Sequence, residues 1–296
     1  MKKATALLTS GLLLASFAGA ASAITVDGTA DAGYGAAIVT QTTQTGFGDS
    51  NLGVSDYANG SELDGAYASI SGGTLYLLLA GNLESNFNKL EIYFDTKAGG
   101  QNVLRTDNPN VDFDGLNRQS GLKFDASFSP DYWISLTGGG GPPYAMYGNY
   151  AELLTGGGGA GYYLGTNGAV SGAALSGGTN PSGIVATINN SNTAGVGGGC
   201  GAASGAGVTT GIELAIPLAA IGNPSGCFTV SAFINGGSHD YLANQVLGGL
   251  PAGTCNLGDP HSVDFSQILG NQFFSVCSQA TPTHNSTWGQ LKTSYR

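Results

Sequence analysis

Three groups of residues have the side-chain types and spacing to do chemistry. The first is Asp107-Asn-Pro-Asn-Val-Asp-Phe-Asp-Gly115, where Asn110, Asp112 and Asp114 alternate ahead of a glycine. Alternating oxygens can converge on one hard cation when a glycine permits the sharp turn, so the spacing points to Ca²⁺. The run departs from a complete calcium loop, with Gly121 where a bidentate Glu would stand and Arg118 at the ninth position. The alternative is a solvated acidic loop. The second group is aromatic: Tyr132, Trp133, Tyr144 and Tyr147 lie in or beside a glycine-rich stretch. Such rings are candidate platforms for the apolar face of a sugar, the ligand-binding reading. Because Trp133 and Ser135 alternate with Ile134, the tryptophan reads equally as core.

The third group is catalytic only on its face. Ser238-His239-Asp240 brings three triad residue types together, but triad members meet through the fold rather than as chain neighbours. His239 and Asp240 read instead as a hydrogen-bonded loop pair. No G-x-S-x-G elbow and no H-E-x-x-H helix occurs. Catalytic residues are therefore assigned to none, and the expectation is a protein that is not an enzyme.

Cys200, Cys227, Cys255 and Cys277 all fall in the last third of the chain. An even count without C-x-x-C spacing suggests two disulfides, with three connectivities open. Export agrees with the start of the chain. Lys2 and Lys3 precede an apolar run ending at Ala21-Ser22-Ala23, the pattern of a signal peptide cleaved after residue 23. No later run is long and apolar enough for a membrane helix.

The elements that must position these groups read as strands. Of 296 residues 51 are Gly and only 9% are charged, which excludes coiled coils and charge-rich disorder. The net charge is −10, and no Lys or Arg occurs between Asp125 and Gln290, which excludes a nucleic-acid interface. Strand patterns recur at 74–80, 89–95, 131–136, 183–188, 209–216 and 227–235, separated by Gly, Asn, Ser and Pro clusters. In 89–95, Leu90, Ile92 and Phe94 share one face, with Lys89, Glu91, Tyr93 and Asp95 on the other. Pro217 should end or edge its strand, and 217–221 should form one helical turn. The glycine runs make 137–210 the loop-richest part of the chain, a Gly-rich insertion. The expected fold is an all-β antiparallel sandwich, jelly-roll-like, spanning 24–278, with a tail at 279–296.

Four pieces in order resemble the family 9 carbohydrate-binding modules and the related DOMON domains. They are Ile24-Thr-Val-Asp-Gly-Thr-Ala-Asp31, Leu75-Tyr-Leu77, Leu90-Glu-Ile-Tyr-Phe-Asp95 and Glu213-Leu-Ala-Ile-Pro-Leu218. A closer likeness is to exported bacterial proteins of this length. It lies in Asn86-Phe-Asn-Lys-Leu90, Asp95-Thr-Lys-Ala-Gly-Gly-Gln-Asn102, Phe128-Ser-Pro-Asp-Tyr-Trp133 and Asn235-Gly-Gly-Ser-His-Asp-Tyr-Leu-Ala-Asn-Gln245. The Thr287-Trp-Gly-Gln-Leu-Lys-Thr-Ser-Tyr-Arg296 ending looks like a sorting or docking signal of such proteins. The resemblance implies a sandwich that binds extracellular polysaccharide. The alternatives are a structural protein of the cell surface or matrix that self-associates, and a secreted hydrolase.

Overall fold

The computed structural model describes residues 23–47, 60–140, 145–168, 170–196 and 199–278. The signal-peptide candidate up to residue 22, Tyr144 and the tail from 279 lie outside the described residues.

Thirteen strands follow in chain order: β1 (Val39–Thr40), β2 (Glu62–Ser71), β3 (Thr74–Asn82), β4 (Asn86–Asp95), β5 (Tyr132–Gly139), β6 (Ala145–Glu152) and β7 (Gly161–Gly168). Then come β8 (Ser176–Gly177), β9 (Val185–Ile188), β10 (Gly211–Pro217), β11 (Cys227–Asn235), β12 (Leu242–Leu247) and β13 (Phe274–Cys277). One sheet has the order β1-β2-β3-β10-β9. The other runs β12-β11-β4-β5-β6-β7-β8, with β13 beside β11. Every pairing between strands is antiparallel. The chain is thus the expected all-β sandwich.

Alternation explains the main core. Leu75, Leu77 and Leu79 of β3, Leu90, Ile92 and Phe94 of β4, and Ile212, Leu214 and Ile216 of β10 bury the facing sides of the two sheets together. Each such side chain contributes roughly 1.5–3 kcal/mol over an exposed one. Pro217 closes β10 opposite Thr74, and Leu218–Ile221 makes the expected helical turn.

A second core lies on the outer face of the larger sheet. The long connection from β4 to β5 folds back over that face. Leu104, Leu116, Leu122, Phe124 and Phe128 pack on Tyr93, Trp133 and Phe233, joined by Leu250, Val263 and Phe265. Glu91 and Tyr93, on the face of β4 away from the main core, are therefore fully buried.

The smaller sheet is closed by one carboxylate. Glu213 Oε2 accepts from the backbone N–H of Asp27 and Gly28 at 2.8 and 2.7 Å. Its Oε1 accepts from Tyr34 Oη at 2.6 Å. The first and last sequence pieces of the family likeness thus touch.

One expectation is corrected. The stretch 137–210 is not one loop insertion, because besides the expected strand near 183–188 (β9) it contains β6, β7 and β8. Its strands carry glycines for packing: a Cβ at Gly148 would strike Leu175, and Gly165 takes φ +119° at an irregularity between β6 and β7. The ten-residue β2 had no recognised signal. The cysteines pair as Cys200–Cys255 and Cys227–Cys277, selecting one of the three connectivities and marking an oxidising compartment.

Candidate functional site

The part of the outer face that the second core leaves uncovered forms a cleft. The register of β4 to β7 supplies two cross-strand rows. Lys89, Thr137 and Tyr147 stand opposite one another in the first, and Glu91, Ser135, Asn149 and Tyr163 in the second. The cleft has a volume of about 450 Å³, within the usual range for small-molecule sites. Phe87, Phe113, Tyr147 and Tyr163 wall it, and Lys89, Asp112, Thr137 and Asn149 supply its polar lining. Phe87 and Tyr147 stand with ring centroids 6.4 Å apart. Phe113 is 87% exposed at the rim.

Beneath the cleft runs a chain of buried charges. Lys89 Nζ lies 3.0 Å from Asp112 Oδ1. His239 Nδ1 lies 2.6 Å from Glu91 Oε1 and Nε2 lies 3.1 Å from Asp112 Oδ2. The contact through Nε2 is an ion pair without hydrogen-bond alignment. Two acids and two bases thus alternate, and protonation of His239 balances them. The remaining acceptor positions are filled too. Glu91 accepts from Trp133 Nε1 at 2.7 Å and from Gln119 Nε2 at 3.1 Å. Asp112 Oδ2 accepts from Ser135 Oγ at 3.0 Å.

These partners set the protonation states. Burial alone would lower the His239 pKa, but Glu91 and then Asp112 outweigh it and raise the imidazolium to about 9. Burial alone would raise the Asp112 pKa, but His239 and then Lys89 outweigh it and bring it down to about 2. His239 is therefore a cation at neutral pH.

Backbone strain gathers at the same place. Asp112, Phe113 and Asp114 take φ of 49°, 55° and 69°, a left-handed turn of three non-glycine residues. Phe87 and His239 also have positive φ, at 68° and 61°. Left-handed backbone costs roughly 1–2 kcal/mol per such residue and persists where surrounding contacts over-determine it. Here the Asp112 ion pairs hold the turn down, Asn117 Nδ2 donates to Asp114 Oδ1 at 2.7 Å, and Arg118 Nε donates to Phe113 O at 3.1 Å. Gly115 lies against the imidazole, where a Cβ would come within 2.6 Å of Nε2. The outcome is a rigid turn that sets the Phe113 ring at the rim of the cleft.

The sequence candidates fare unevenly. Tyr147 lines the cleft. Trp133 is fully buried in the second core and Tyr132 is buried in the first, so neither offers a face for stacking, and both platform readings are corrected. Asn110, Asp112 and Asp114 do not form the expected calcium loop. Asp112 faces two cations where Ca²⁺ would need a free carboxylate, and Asp114 is engaged by Asn117. No set of three or more acidic, His or Cys side chains clusters as metal ligands among the described residues. The reading of His239 with Asp240 is also corrected, since His239 bonds to Glu91 while Asp240 is exposed.

Sequence reasoning missed Phe87, Phe113, Tyr163, Asn149 and Glu91 as parts of a site. Lys89 and Glu91 were legible as one face of β4. Nothing local marks Tyr163, whose strand reads as glycine-rich loop.

A search of protein-family models, of curated proteins and of solved structures finds no match for this chain. The class that fold and site define is an all-β sandwich with a ring-walled cleft on one outer sheet face.

Proposed function

We propose that this chain is an exported, non-enzymatic binding protein that holds extracellular polysaccharide in the cleft. One observation carries the reading: four aromatic rings surround a polar lining of Lys89, Asp112, Thr137 and Asn149. Aromatic faces take the C–H surface of a sugar, while amide, hydroxyl and charged groups take its hydroxyls. The two disulfides support export, and the short sequence likeness to carbohydrate-binding modules agrees with the ligand class.

The charges favour an uncharged stretch of polysaccharide. Lys89 and His239 are each paired with carboxylates inside the protein, so the lining offers no free cation to an acidic sugar. The arrangement also favours binding over catalysis. His239 is enclosed and held protonated, and the nearby Ser135 hydroxyl donates to Asp112 instead of to an imidazole base.

A glycan array with the purified protein, followed by calorimetry on the hits, tests this reading. Neutral polysaccharides should bind, and Tyr147→Ala and Tyr163→Ala should each weaken binding about tenfold, roughly 1.4 kcal/mol. Absence of any glycan hit, or hits that both variants leave unchanged, would overturn it.

A further inference from the structure

A second polar cluster lies at the other sheet, where β2 meets β3. Glu62 stands directly opposite Asn82, and Asp64 follows at an irregularity in the pairing between Leu63 and Gly65. All three side chains are buried. Asn192 ties the group together. Its Nδ2 donates to Asp64 Oδ2 at 2.8 Å, and its carbonyl accepts from Asn82 Nδ2 at 2.9 Å. That second bond fixes the Asn82 amide and leaves its Oδ1 without a partner. Both carboxylate oxygens of Glu62 are buried and without a hydrogen-bond donor as well. Gly195 closes over Glu62 Oε1 so tightly that no Cβ fits there.

A buried carboxylate with no donor and no counter-charge is costly. No basic residue is ion-paired to Glu62 or Asp64 among the described residues. Three unpartnered oxygens, two from a carboxylate and one from an amide, beside a second carboxylate are hard donors of the type that calcium takes from proteins. We propose that Glu62, Asp64 and Asn82 form a calcium site that clamps the β2–β3 end of the sandwich to the Asn192–Gly195 loop. The site is separate from the aromatic cleft and from the 107–115 loop.

The purified protein, stripped with a chelator, is titrated with CaCl₂ by calorimetry while its thermal melting is followed. One Ca²⁺ per chain should bind and raise the melting temperature by several degrees, and Glu62→Gln should abolish both effects. Asn82→Ala keeps both carboxylates and should weaken Ca²⁺ binding about tenfold, so it serves if Glu62→Gln does not fold. No heat and no melting shift with Ca²⁺ would overturn the proposal. So would binding that Asn82→Ala leaves unchanged, or an equal melting shift with MgCl₂.

Discussion

His239 Nδ1 stands 2.6 Å from Glu91 Oε1, which joins the β11–β12 turn to the centre of β4. Through Nε2 the same ring reaches Asp112, so one imidazolium connects the buried sheet face to the turn that carries Phe113. Removing the ring leaves the buried Glu91 carboxylate without a cation and Asp112 with Lys89 alone. His239→Gln should therefore destabilise the protein by about 3–5 kcal/mol, read from urea unfolding. A loss under 1 kcal/mol would show that the charge chain contributes little.

Stability should depend on pH at both ends of the range. In the folded protein His239 titrates at about 9, above the 6.5 or so of an ordinary histidine. Its contribution is thus fully present below about pH 6.5 and is lost as pH rises through 9, at most about 3 kcal/mol in all. Asp112 titrates at about 2, below the roughly 3.9 of an ordinary aspartate. Its contribution is present above about pH 4 and is lost as pH falls through 2. Melting temperatures across this range check both signs. His239→Gln should flatten the alkaline limb while the wild type keeps it.

Phe113 separates binding from folding. Its ring is exposed and its backbone left-handed, so Phe113→Gly removes a wall of the cleft while relieving strain. Affinity for a glycan hit should fall about tenfold, roughly 1.4 kcal/mol, with folding stability kept within about 1 kcal/mol. Equal affinity in the variant would remove Phe113 from the site.

The disulfides should matter to heat resistance. Cys227 and Cys277 face each other across β11 and β13, and Cys200–Cys255 ties the 199–208 segment to the loop after β12. Each bridge closes a loop of 50 residues or more, worth on the order of 2–4 kcal/mol. Replacing Cys227 and Cys277 together by Ser should lower the melting temperature by roughly 5–15 °C. Calorimetry with and without reductant reads the result.

How legible the molecule was depends on what each residue answers to. Leu90, Ile92 and Phe94 announce their face of β4 because alternation is a local signal, and the register then follows. Trp133 was ambiguous because its burial depends on the Leu104–Phe128 connection folding over it, a contact between distant segments. The β6 and β7 strands were hidden because Gly148 and Gly165 mark turns in most sequences, whereas here they admit Leu175 and an irregular pairing. The loop alternation of Asn110, Asp112 and Asp114 misled because spacing cannot show that Lys89 and His239 already hold Asp112. No local pattern reveals that Glu62 and Asn82 lie opposite each other without donors.

The clasp of Glu213 on Gly28 and Tyr34 bears on the order in which the chain can fold. Both sheets join early strands to late ones, β3 to β10 and β4 to β11. A chain made from its first residue therefore leaves one edge of β3 and one edge of β4 unpaired until β10 and β11 have been made. Such long-range pairing slows folding, because the local pairings of β2–β3 and β4–β7 cannot be completed into sheets until β10 and β11 arrive.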